Sequence, residues 1–241
     1  MDHAMPLSKG IIINLDRLPV DEWGRIFDAT GGSRPIFKIG TTIQKKSIEI
    51  LSEIRNHGEM MIDTRLGEYL PDVDECIEMY KPYDPWAITF QCGNDFVMRQ
   101  AHFHRITTTA VASVRVVGTD EECRRRNGAT CNEVILQLVR EAYRQGLTRI
   151  LCSMRELSVI RTDTISEALE FIVYGNYPLW NMDPGAADAL PVATPADALR
   201  MGADFIIIGS PVTVARSVTD PVGLVIEAYQ EFQKFFVEET S

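Results

Sequence analysis

The chain has 241 residues, 45% hydrophobic and 24% charged, with a formal net charge of −10. That balance argues against a basic nucleic-acid-binding face and leaves ample apolar material for a large core. No run reaches the ~20 apolar residues needed to cross a bilayer, and residues 1–6 lack signal-peptide character, so a cytoplasmic protein without a membrane partner is expected.

Short β-branched runs alternate with amphipathic stretches along the whole chain. The first run, 10–15, ends at Asp16. The second, 35–39, contains Lys38. The third, 60–62, passes at once into Asp63-Thr64-Arg65-Leu66-Gly67-Glu68. Further runs cover 87–90, 111–117, 149–152, 171–174 and 205–208, with helical patterns clearest at 48–57, 133–145, 196–201 and 222–236. Eight strands with intervening helices predict α/β architecture, a single closed (β/α)8 TIM barrel in one domain spanning 1–241. Periodicity alone also permits an open doubly wound sheet, but no GxGxxG follows the first strand.

Other features are less informative. Arg124-Arg125-Arg126 after Asp120-Glu121-Glu122 reads as a solvated loop. His102 and His104 have no acidic or cysteine partner at ligand spacing, so a surface or interface role is expected rather than a metal site. The five cysteines, at 76, 92, 123, 131 and 152, form no CxxC pair, and neither a disulfide framework nor zinc is expected. Residues 175–193 form a long aromatic-bearing connection that reads as an ordered lid.

The strand ends carry the chemistry. Asp16, Lys38, Asp63, Arg65 and Glu68 all fall at or just past the ends of the first three strands, where a parallel barrel keeps its site. The bland alternative is a salt-bridge network at the mouth, with Lys38 neutralising Asp63 and Asp16 capping the following helix.

These residues resemble the orotidine 5′-monophosphate (OMP) decarboxylase family over nearly the whole chain. Ile13-Asn14-Leu15-Asp16 is similar to its first-strand aspartate motif, and Phe37-Lys38-Ile39-Gly40 to its second-strand lysine motif. Asp63-Thr64-Arg65-Leu66-Gly67-Glu68 lies on the signature Asp-x-Lys-x-x-Asp. Cys152-Ser153-Met154-Arg155-Glu156 falls on the sixth strand end, and residues 193–198 and 202–211 follow the C-terminal pattern. The resemblance implies a cofactor-independent, metal-free carbon–carbon lyase, a decarboxylase acting on a small pyrimidine nucleotide or nucleoside. It also implies a homodimer in which Glu68 reaches the neighbouring subunit's site. Lys38, Asp63, Arg65 and Glu68 would be catalytic, and Asp16, Thr119, Tyr177, Gly209 and Ser210 would bind substrate.

The departures from the family fall on functional positions. Arg65 replaces the signature lysine and Glu68 the last aspartate. Tyr177, Ala189 and Ser210 stand where the family binds phosphate. Arginine's pKa is roughly 2–3 units above lysine's, so as proton donor it would raise the barrier by about 3–4 kcal/mol. Losing two or three charged hydrogen bonds to phosphate would cost roughly 3–9 kcal/mol of binding. Ordinary OMP turnover is therefore not expected, unless Arg115 or Arg155 supplies a substitute. Lys38 becomes the candidate proton donor. It also separates the chain from the related hexulose-phosphate synthase branch, which carries glutamate there. The alternative is a catalytically inactive barrel kept as a binding or scaffold protein.

Overall fold

In the computed structural model the described residues are 10–31, 33, 35–67, 72–93, 95–106, 109–176, 178, 194–213 and 219–238. The β-branched runs form eight strands: β1 (Gly10–Asn14), β2 (Ile36–Ile39), β3 (Glu59–Leu66), β4 (Ala87–Gln91), β5 (Ala110–Ser113), β6 (Arg149–Ser153), β7 (Glu170–Tyr174) and β8 (Phe205–Ile208). All neighbouring pairs are parallel, and β1 pairs with both β2 and β8, which closes the barrel. The helices are α1 (Trp23–Thr30), α2 (Thr41–Lys45), α3 (Ile50–His57), α4 (Val73–Tyr80), α5 (Asp95–Phe103), α6 (Asp120–Asn127), α7 (Cys131–Arg144), α8 (Met154–Ile160), α9 (Pro195–Arg200), α10 (Ser210–Thr213) and α11 (Pro221–Glu238).

The period-2 alternation of the strands separates two cores. Ile13, Phe37, Ile62 and Ile208 point outward and meet the apolar faces of helices such as α7 and α11. Ile12, Ile36, Met61, Val111, Leu151, Ile172, Phe205 and Ile207 fill the barrel interior. Continuing the same alternation toward the strand C-termini puts Lys38 and Asp63 inside the barrel, above this plug. At the opposite end, Trp86 stacks edge-on against Phe205 at 4.8 Å, and Arg149 lies over Trp86 at 4.5 Å while pairing with Glu170 at 2.6 Å. These four side chains close the floor.

Three expectations are corrected. Arg124–Arg126 belong to the last turn of α6 rather than a loop, exposed, with Asp120–Glu122 in the first turn. A Thr119/Glu122 capping box and charges matched to the helix dipole favour a helix there despite the absence of an apolar stripe. His104 is nearly buried and does have acidic partners, Asp74 at 2.9 Å and Glu78 at 2.8 Å, because packing α5 on α4 brings distant residues together. Finally, Cys123 and Cys131 are joined by a disulfide across the α6–α7 elbow, their Cα atoms 5.4 Å apart. A pair eight residues apart on two helices leaves no CxxC signature.

Candidate functional site

The site begins with Asp16, directly after β1. Its Oδ1 accepts hydrogen bonds from the Gly40 and Thr42 amides, at 3.2 and 3.0 Å, and from the Thr41 and Thr42 hydroxyls, at 3.2 and 2.9 Å. Asp16 thus caps α2, the helix after the second strand, rather than the helix that follows it in sequence. The carboxylate satisfies the amides that a helix start leaves open. Gly40 makes this possible: a Cβ there would sit 2.2 Å from the Asp63 carbonyl oxygen. The chain crosses β3 too closely for any side chain at that point.

Lys38, inward on β2, reaches this junction. Its Nζ lies 2.5 Å from Asp63 and 3.8 Å from Asp16 Oδ2. Asp63 in turn accepts from the Thr89 hydroxyl at 2.9 Å, and the Thr89 oxygen accepts from the Arg65 amide at 2.9 Å. Burial alone would raise the Asp63 carboxyl, but the Lys38 ammonium, the Arg65 guanidinium and the Thr89 hydroxyl together hold it below its ordinary value. Asp63 is therefore an anion at neutral pH, 7% exposed at its side chain, with Lys38 at 11%.

β3 does not end as the sequence suggests. It continues to Leu66 with a register shift between Ile62 and Leu66, and Arg65 within that bulge has φ +47°. A left-handed arginine costs backbone energy, on the order of 1 kcal/mol, and such strain gathers where a side chain must be aimed. The result puts Arg65 Nε 3.9 Å from Asp63 Oδ1, with the rest of its side chain a quarter exposed at the mouth.

Tyr174, at the end of β7, packs on the top of the interior plug, nearly opposite β3 in the ring. Its phenol is pushed up first by burial and then by the Glu156 carboxylate, against the pull of Arg115 and Arg65. Glu156 is buried and accepts from the Ser153 amide at 2.7 Å and the Val116 amide at 3.2 Å, which ties β6 to the segment after β5.

The structure therefore brings Asp16, Lys38, Asp63 and Arg65 together. Gly209 is buried after β8 and Ser210 opens the four-residue α10, exposed. Thr119 lies apart: it is exposed, and its hydroxyl is spent on capping α6. Glu68, Tyr177, Ala189 and the greater part of the expected lid lie outside the described residues. Sequence reading missed Thr89. Its only signal was an inward register position near a strand C-terminus, which is invisible until the strands are aligned. Among the described residues, no three His, Cys, Asp or Glu side chains are grouped to hold a metal ion.

A closed parallel barrel whose strand C-termini carry a buried, mixed-sign cluster defines the (β/α)8 class of proteins with a site at the mouth. No family model matches the chain. Orotidine 5′-phosphate decarboxylase from Malacoplasma penetrans is 22% identical over 240 residues, covering 95% of this chain and 99% of that one. An uncharacterized conserved protein from Geobacillus kaustophilus superposes with TM-score 0.67 at 18% identity, covering 92% and 99% of the two chains. Orotidine 5′-phosphate decarboxylase from Thermotoga maritima superposes with TM-score 0.56 at 13% identity, covering 95% and 98%. At such identities the structural likenesses speak for the fold. The sequence likeness, spread over almost the full length of both chains, speaks for descent. The chain is similar to orotidine 5′-phosphate decarboxylases over nearly its whole length.

Proposed function

We propose that this protein is a cofactor-independent carbon–carbon lyase, a decarboxylase, acting on a pyrimidine nucleotide or a nucleoside-like substrate at the barrel mouth. The observation that carries this reading is Lys38, an ammonium nearly enclosed in the barrel, 2.5 Å from Asp63 and 3.8 Å from Asp16. In the reaction the bond from the ring carbon to its carboxyl group breaks, carbon dioxide leaves, and the electron pair stays on the ring. Lys38 and Arg65 supply fixed positive charge where that carbanion develops, and preorganised charge of this kind costs nothing to reorient. Lys38 then gives its proton to the carbon and recovers one from solvent. Arg65 holds charge but is too weak an acid to share that task. Asp63 and Asp16 hold the Lys38 side chain in place until substrate arrives.

Glu68 completes the proposed array from the neighbouring subunit of a homodimer, and Tyr177, Gly209 and Ser210 stand as further candidate substrate contacts. A second reading, an inactive barrel retained for binding, draws on the approach of Arg65 to within 3.9 Å of Asp63.

The deciding measurement follows loss of orotate-ring absorbance with OMP and with orotidine, on the wild-type chain and on Lys38→Ala and Arg65→Lys. Turnover that disappears in Lys38→Ala and rises in Arg65→Lys supports the lyase. Binding of either compound by calorimetry without turnover in any form supports the inactive barrel. Neither binding nor turnover places the substrate outside the pyrimidines.

A further inference from the structure

Of the eight residues of α6, Cys123 alone is buried. The rest of Asp120–Asn127 is acidic at one end and basic at the other, with no apolar stripe to hold it on the barrel. An eight-residue helix is marginal without tertiary contacts, and end caps alone supply little. What fastens α6 is the bond from Cys123 to Cys131, which opens the well-packed, amphipathic α7. The elbow is organised around that bond. The Asp120 carboxylate accepts from the Cys131 amide at 3.0 Å, and Cys131 Sγ lies 3.5 Å from the Gly118 carbonyl.

The other three cysteines offer no competing chemistry. Burial raises the thiols of Cys76, Cys92 and Cys152, Cys92 up to about 12, so they stay protonated and unreactive at neutral pH. The elbow also adjoins the candidate site. Its lead-in segment from β5 carries Arg115, whose charge acts on Tyr174, and Val116, whose amide binds Glu156.

We propose that Cys123 and Cys131 form a reversible thiol–disulfide couple that clasps α6 against the barrel beside the mouth, with a low-molecular-weight disulfide as its oxidant. One thiolate of the pair attacks a sulfur of the small disulfide and expels one small thiol. The second attacks the resulting mixed disulfide and expels the other. Both cysteine protons pass to the released thiolates, so two thiols are oxidised as one disulfide is reduced. The 5.4 Å between the Cα atoms lies in the range a bridge spans without moving backbone. Opening the clasp frees α6 and loosens the wall that carries Arg115 and Val116.

The test uses the full chain, reduced or equilibrated with glutathione disulfide, then denatured and alkylated. Intact mass should count five modified thiols in the reduced chain and three in the oxidised one, since two of the five cysteines are bridged. The exposed Arg124–Arg126 run lies between the two cysteines and provides an independent readout. Trypsin acting on the folded protein should cut there about 10-fold faster in the reduced form, as expected when a local element loses its anchor. A chain nicked there in the oxidised form should stay whole on a gel until reductant is added. Five alkylated thiols after oxidant treatment, or equal cutting rates in the two forms, would overturn the proposal. So would a redox-dependent cutting rate that persists in Cys123→Ser. The thiol count on the wild-type chain needs no variant and stands whether or not Cys123→Ser folds.

Discussion

The two ends of the barrel each hold an inward ion pair, and the pairs behave oppositely. At the mouth, Lys38 and Asp63 lie 2.5 Å apart and the carboxyl is held below its ordinary value. At the floor, Arg149 and Glu170 lie 2.6 Å apart, yet the Glu170 carboxyl is raised: burial outweighs the arginine, and Asp204 pushes the same way. The difference lies in what else converges. Asp63 meets two cations and a hydroxyl. Glu170 meets one guanidinium that is shared with the Trp86 face and carbonyl. A charge pair inside a barrel is therefore not evidence of a site by its presence. The floor pair serves packing, whereas the mouth is charged beyond what packing needs and is aimed by a left-handed arginine.

Breaking the mouth pair should have the largest effect. Lys38→Ala leaves a buried carboxylate without its main partner and should lower stability at pH 7 by about 3–5 kcal/mol, read from urea unfolding. The pH dependence should change sign as well. In the wild type, the folded pKa of Asp63 lies below its unfolded value, so its contribution is full above about pH 4 and is lost as pH falls through the folded value. Without Lys38, burial dominates, and acid should relieve the variant rather than weaken it. Parallel acid limbs for the two proteins would mean that the pairing carries little energy.

The floor should respond less. Glu170 has a raised folded pKa, so its contribution is fully present below its unfolded value near pH 4 and is lost as pH rises through the folded value. Glu170→Gln should flatten that limb, with a difference of about 1 kcal/mol at most for this partly exposed pair. An effect as large as that of Lys38→Ala would erase the distinction between the two ends.

Arg65→Gly sharpens the comparison from the other side. It removes a side chain from φ +47° and should raise stability by about 0.5–1 kcal/mol while removing positive charge from the proposed array. A loss of stability would mean that the contact with Asp63 outweighs the backbone strain. Thermal unfolding measured beside the OMP assay separates the two outcomes.

Much of the fold was legible because parallel strands buried on both sides read as β-branched runs, and the helices between them show their own period. All eight strands lie where those runs fall. Boundaries moved where local chemistry competed: β5 stops at Ser113, short of the expected Val117, and β3 runs through charged residues to Leu66. Four candidate site residues could be found because they sit at strand ends, a place that composition and order already mark. Thr119 misled for the same reason, since a polar residue after a strand serves equally well as a helix cap.

The sequence by itself determined the run of strands and helices and the set of charged residues at the strand ends, because burial patterns and chain order are local properties. Only the tertiary structure decided the use of those residues. Asp16 caps a helix beyond the next strand, Thr89 joins Asp63 to Arg65, Arg149 and Glu170 seal the floor, and two cysteines without a motif meet across an elbow. Each of these depends on register and packing between segments far apart in the chain, and on distances that fall off within a few ångströms, which no one-dimensional pattern encodes.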